Sequence, residues 1–257
     1  MPRQFRHTYT VRYNECDCYG FLTPAAFVRY MQDIALLDAE DVRFTQSGFW
    51  IVKRSVITFH TPVPMHTELE LTTFGMGFTR ITGQRGYDAR LVGASDGPPI
   101  ISARTLWVYV DQRGRPIRMP EGTAEVWLPD GPQAIQAEPA LPAFPEQPPA
   151  MSSAAVRFSD TDLMRHMNNA AYVEVLDNAA WEAYSQAEIT AETATLCALS
   201  YDIEYLESAL LGEQLEIQSW FDPFPQAGQE FTRLQQITRA GRVLVRTGSR
   251  WIWRPTA

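Results

Sequence analysis

The chain repeats itself at a nearly constant offset, and that constrains its fold more than any other feature. Val11, Arg12, Asp17, Ala25, Ala26, Val28 and Ala35 recur 145 positions later as Val156, Arg157, Asp162, Ala170, Ala171, Val173 and Ala180. Tyr13 and Phe27 return as Phe158 and Tyr172, and the helix-starting Thr23 returns as Asn168. Further along, Ser55 meets Ser200 at 145, Glu68–Leu71 meets Gln214–Ile217 at 146, and Trp107–Tyr109 meets Trp251–Trp253 at 144. A register that drifts by one residue over about a hundred positions is the mark of a duplicated unit. Two copies of one unit on one chain predict a pseudo-dimer joined by a covalent linker.

Each unit reads as one long helix followed by an antiparallel meander, the α+β pattern. In the first, Thr8–Glu15 alternates like a strand, Asp17–Leu22 is a loop, and Thr23-Pro24 starts a helix with Thr as N-cap and Pro in its first turn. Phe27, Tyr30, Met31, Ile34, Ala35 and Leu37 recur at helical spacing to about Asp41, giving one apolar face to lay against a sheet. Strands are predicted at Phe49–Phe59, Glu68–Phe78, Gln84–Val92 and Ile100–Val110, with turns at Asp96–Pro99 and Asp111–Gly114. Leu128–Ala150 carries seven prolines and reads as a semi-extended linker. The second unit restarts with a strand at Ala154–Ser159, a loop at Asp160–Met167 and a helix at Asn169–Tyr184. Strands follow at Cys197–Leu206, Gln214–Asp222, Phe231–Arg239 and Val243–Trp253. The predicted boundaries are therefore 1–128, 129–150 and 151–257.

Composition removes several function classes. A net charge of −8 over 257 residues disfavours a general nucleic-acid binder. Residues 231–257 hold six arginines and no acid, which reads equally well as a docking face for an acidic carrier protein or as solvated strand ends. Lys53 is the single lysine, so Schiff-base chemistry is not expected. No apolar run reaches about 18 residues, so no membrane span is expected, and the N-terminus lacks the apolar core of a signal peptide. Three cysteines (Cys16, Cys18 and Cys197) without framework spacing predict reduced thiols and a cytoplasmic protein. His7, His60 and His66 form no ligand motif with His166, and there is no G-x-S-x-G or phosphate loop, so neither metal nor cofactor is expected.

The two units differ where chemistry would sit. The second has Asp162, His166 and Glu204, and the first has Asp17, Phe21 and Phe59 at the same offset. Asp162 and His166 precede a helix N-terminus, whose free N–H groups and dipole can polarise a carbonyl and stabilise an oxyanion. A carboxylate there can attack or activate water, and an imidazole can carry a proton. Those are the needs of ester or thioester hydrolysis. Asn168 is explained by capping alone, and Glu204 in YDIEYLE, taken alone, reads as a solvated edge residue rather than a functional one.

The segment SDTDLMRHMNNAAYVEVLDNA, followed by YDIEYLE, resembles the S-D-x-D-x-N-x-H-x-N-N-x-x-Y and Y-x-x-E-C motifs of fatty acyl-ACP thioesterases of plastids and bacteria. VRYNECDCYGFLTPAAFVRYMQDIA is similar to the opening of hotdog thioesterases generally. The resemblance implies a tandem double hotdog, with catalytic residues in the second unit and most of the acyl pocket in the first. It assigns catalytic roles to Asp162, His166 and Glu204. Asn168 and Asn169 are expected to bind substrate. The family's catalytic Asn falls on Met164 and its Cys on Tyr205. The implied partner is an acyl carrier protein thioester, with a CoA thioester or non-catalytic acyl binding as alternatives, and a homodimer is conceivable because pseudo-dimer units often pair again.

Overall fold

The structure is a computed structural model describing residues 1–43, 48–94, 97–131 and 133–254. Asp96 of the expected turn and Pro132 of the linker lie outside the described residues. The strands are β1 (Gln4–Thr10), β2 (Phe49–Phe59), β3 (Glu68–Phe78), β4 (Thr82–Leu91), β5 (Ile101–Val110), β6 (Ala150–Ala155), β7 (Thr195–Tyr205), β8 (Gln214–Asp222), β9 (Glu230–Arg239) and β10 (Arg242–Arg254). Two long helices, α1 (Pro24–Asp41) and α3 (Asn169–Gln186), and a short α2 (Thr123–Trp127) complete it. The strands form one antiparallel sheet in the order β1-β3-β4-β5-β2-β7-β10-β9-β8-β6. The order of the second five mirrors that of the first, as duplication requires. The units join where β2 pairs with β7, from Arg54↔Glu204 to Thr58↔Ser200.

Both long helices lie on the inner face of this sheet and touch each other. Their buried stripes, including Phe27, Met31 and Ile34 on α1 and Tyr172, Leu176 and Ala180 on α3, merge into a single apolar core. This is the tandem hotdog arrangement. Arg29 and Glu174 occupy equivalent positions 145 apart and meet as an ion pair at 2.6 Å. Identical halves would have placed like charges together here. Both side chains are well exposed, so the pair contributes at most about 1 kcal/mol.

Three sequence expectations change. Val11–Glu15 does not continue the first strand, because Tyr13–Glu15 is a 3-10 turn closed by Glu15 accepting from the Arg12 N–H. Phe158–Asp160 makes the matching turn in the second unit, so β6 ends at Ala155 rather than Ser159. Cys16 follows the first turn and bridges Leu22. The linker is more than a tether. It runs over the outer face of the sheet, where Gln84 and Gln136 exchange two hydrogen bonds, Arg54 donates to the Pro139 carbonyl at 2.6 Å, and Trp220 donates to Gln147 at 2.8 Å.

Most arginines of the C-terminal stretch are paired within the chain. Arg233 is buried against Asp177. Arg239 pairs with Glu207 and Glu213, Arg242 with Glu207, and Arg250 with Glu230. Arg246 lies 4.9 Å from the Phe144 ring of the linker. Partners brought from elsewhere in the chain neutralise most of the charge, which the local sequence could not reveal.

Candidate active site

The loop before α3 is closed like a small hairpin. Thr161 bridges Met167, the Asp162 N–H donates to the His166 carbonyl at 3.0 Å, and the Arg165 N–H donates to the Asp162 carbonyl at 2.9 Å. The Asp162 carboxylate accepts the Met164 N–H at 2.9 Å, an Asx turn that fixes the acid. The first unit repeats this geometry with Cys16 bridging Leu22 and Asp17 accepting from Tyr19 and Phe21. Gly20 there has φ +81°, and its equivalent Arg165 has φ +62°. A non-glycine residue in this region costs about 1–2 kcal/mol, against about 0.5–1 kcal/mol for the added chain entropy of glycine. Arg165→Gly is therefore expected to stabilise the protein by up to about 1 kcal/mol, measured by urea denaturation.

Behind the loop, Asp160 is buried. Burial opposes its charge, but hydrogen bonds from the Arg157 side chain and backbone outweigh that and hold its pKa below the ordinary carboxylate value. Its backbone carbonyl accepts the Asn168 N–H at 2.8 Å, which ties the loop to the helix start. The Asn168 side chain caps α3 by accepting the Ala170 N–H at 2.9 Å. Of the two expected substrate-binding asparagines, Asn168 is thus committed to the helix, and Asn169 lines the cavity described next.

That cavity, of about 740 Å³, runs between the two units. At one end it is lined by Asp162, Met164, His166, Asn169, Tyr172 and Tyr205, and at the other by residues of the first unit, including Trp50, Trp107 and Trp127. The His166 ring has no hydrogen-bond partner among the described residues. Sequence reasoning missed the two tyrosines. Tyr205 donates to the Asn169 carbonyl at 3.3 Å, and the Tyr172 hydroxyl accepts the Ala209 N–H at 2.7 Å, with ring centroids 5.9 Å apart. Burial raises Tyr172 to about 12 and pushes Tyr205 up as well, so both stay protonated. The signal for Tyr205 was present in YDIEYLE: an apolar or aromatic residue at every second position, Tyr201, Ile203 and Tyr205, marks the face turned toward the helices.

The same alternation separates Glu204 from Asp162 and His166. Tyr201, Ile203 and Tyr205 are buried on the inner face, so Asp202 and Glu204 project from the outer one. There the Glu204 carboxylate meets Arg54 at 3.2 Å, and Arg54 also holds Asp202 at 2.8 Å. Glu204 does not line the cavity. The geometry therefore does not bring together the three acid-base groups the resemblance assigned, because a residue on the outer face of a strand cannot reach the helix side. Glu204→Gln is expected to leave kcat within about threefold of wild type in a thiol-release assay.

The first unit has the corresponding but smaller cavity, about 360 Å³, bordered by Asp17, Phe21, Trp251 and all three cysteines. The cysteines are unbridged. Phe21 occupies the place of His166, so this side lacks the imidazole. No cluster of His, Cys, Asp or Glu among the described residues can hold a metal ion.

Two family models match the chain. Residues 2–126 match the acyl-ACP thioesterase N-terminal domain, and residues 156–248 match the thioesterase-like superfamily. The first half of the chain belongs to the acyl-ACP thioesterase family, and the second half is a thioesterase-like domain. The chain is a thioester hydrolase with a hotdog fold. Among solved structures, the thioesterase is similar to a putative oleoyl thioesterase from Lactobacillus plantarum (TM-score 0.82, 18% identity, 99% of this chain and 98% of that one). It is also similar to an acyl-ACP thioesterase from Bacteroides thetaiotaomicron (TM-score 0.74, 18% identity, 96% and 97% covered). A third relative is the 12:0-ACP thioesterase from Umbellularia californica (TM-score 0.79, 15% identity, 97% and 94% covered). At these identities the structures speak for the fold. No curated protein matches the thioesterase by sequence. No helix among its described residues is long and apolar enough to cross a membrane.

Proposed function

We propose that this thioesterase hydrolyses fatty acyl-ACP to free fatty acid and acyl carrier protein, using Asp162 and His166. The observation that carries the reading is the single cavity with acid-base groups at one end and an aromatic, apolar chamber at the other. The acyl chain lies in the chamber of the first unit, and the thioester carbonyl lies at the N-terminus of α3. There Asn168 already satisfies the Ala170 and Ala171 N–H groups, and the N–H of Asn169 has no acceptor among the described residues. That donor and the helix dipole favour the developing oxyanion. Asp162 takes a proton from water, or attacks the carbonyl itself, and His166 delivers a proton to the departing sulfur. Glu204 is left out of the chemistry by its position on the outer face.

This reading divides the chain into an acyl-chamber unit at 1–128, a linker at 129–150 and a catalytic unit at 151–257. Three unbridged cysteines fit a reducing compartment, and the cytoplasm is the proposed one.

The test is release of free thiol from a panel of acyl-ACP and acyl-CoA substrates at equal concentration. Faster release from acyl-ACP supports the reading. A large preference for acyl-CoA would reassign the carrier, and tight binding of either thioester without turnover would reduce the protein to an acyl binder.

A further inference from the structure

The far end of the cavity is closed by a charged wall. Asp38, on the sheet-facing side of α1, is 1% exposed. It accepts from Arg85 at 2.6 Å, from the Trp127 indole at 2.6 Å and from Arg3 at 3.1 Å. Arg85 also donates to Thr73 at 3.2 Å, and its guanidinium lies 5.4 Å from the Trp127 ring centroid. Phe78 stacks on Trp127 with ring centroids 6.1 Å apart. Arg85, Trp127 and Phe78 all line the cavity.

The register of the sheet gives the distance to this wall. Val52 pairs with Trp107, Trp107 with Gly83, and Gly83 with Phe78, a row of inward positions across β2, β5, β4 and β3. Three strand spacings of about 4.8 Å make that row roughly 14 Å long. It starts beside Lys53 and Tyr205 at the acid-base end. An extended carbon chain advances roughly 1.2 Å per bond, so it fills this length with roughly ten to twelve carbons.

We propose that the Asp38–Arg85–Trp127 cluster is a chain-length stop that makes straight acyl groups of roughly ten to twelve carbons the preferred substrates. The inference rests on the proposed acyl chamber. A wall of leucines can yield to one more methylene, because their rotamers can shift. This wall cannot yield in the same way, since moving Arg85 or Trp127 strips hydrogen bonds from a buried carboxylate. Depth is also set along the row by Gly83. A Cβ there would stand 2.8 Å from the Phe78 ring and 3.4 Å from Trp50, so a side chain at this position must push the Phe78 ring out of its place in the chamber wall.

The test is isothermal titration calorimetry of the wild type, Trp127→Ala and Gly83→Leu with saturated straight-chain free fatty acids of 6–18 carbons. In wild type, affinity is expected to rise about fourfold per methylene and then break near ten to twelve carbons. The break is expected to move up by at least two carbons in Trp127→Ala and down by at least two in Gly83→Leu. An affinity that climbs without a break to eighteen carbons in wild type overturns the proposal. So does a break that stays in place in the variants that fold. If Trp127→Ala does not fold, Gly83→Leu decides alone. Thiol release from acyl-ACP is scored separately: its absence at every chain length would overturn the hydrolytic reading, and the calorimetric break would still judge the stop.

Discussion

Asp162→Asn is expected to lower kcat/KM for thioester hydrolysis by about 10²–10⁴-fold, the range lost when a positioned acid-base group is removed. The substitution is informative because it spares the loop. An asparagine amide oxygen can still accept the Met164 N–H, so the turn that ends in Arg165 and the backbone bond to His166 remain possible. What disappears is the charge that takes a proton or attacks the carbonyl. A small change in KM beside the large loss in kcat would place the carboxylate's work in the transition state. His166→Ala is expected to fall in the same range, with a smaller loss for substrates whose leaving thiol is more acidic, since these need less help from a proton donor. Steady-state thiol release with matched protein folding, checked by circular dichroism, measures both.

Asp177→Ala should give the largest loss of stability, about 3–5 kcal/mol, because it strands a buried guanidinium. Arg233 is 1% exposed, pairs with Asp177, donates to the Tyr201 hydroxyl at 2.9 Å and packs 4.4 Å from the Trp251 ring centroid. Tyr201 in turn donates to Asp177 at 3.1 Å. The unit has no second carboxylate paired with Arg233 among the described residues. Breaking the pair is costly, but replacing both members need not be, since each charge also paid a desolvation cost. The double variant Asp177→Ala/Arg233→Met is therefore expected to recover most of the loss in urea denaturation. If the double variant is as unstable as the single one, the damage is lost packing rather than a stranded charge.

Duplication made the fold unusually readable. Once the offset was visible, each strand and helix had a second witness, and Phe49–Phe59, Glu68–Phe78 and Gln214–Asp222 fall where the alternation put them. The errors cluster where local chemistry overrides alternation, as at Tyr13–Glu15 and Phe158–Asp160, whose acids fold back on the preceding arginine's N–H. At the proposed site, the proximity of Asp162 and His166 was legible because they share a short loop before a cap, and both line the cavity. Glu204 lies on the outer face, which the sequence did not show because a motif names a residue type without naming the face of the strand. Tyr172 and Tyr205 were passed over because buried aromatics look like core until their hydroxyls are seen against the backbone. The Asp38–Arg85–Trp127 wall was invisible in sequence, since its members are separated by dozens of residues and converge only through sheet register.

A single active site requires that two turns with matching hydrogen bonds differ in function. Asp17 and Asp162 are equivalent residues in equivalent Asx turns, one beside Phe21 and one beside His166. The decisive measurement is the rate of thiol release from acyl-ACP by Asp17→Asn and Asp162→Asn, side by side with wild type. A rate within about threefold of wild type for Asp17→Asn and a loss of at least about 10²-fold for Asp162→Asn are the expected pair. Equal losses in both, or an Asp162→Asn protein that keeps its rate, would contradict a single active site in the second unit.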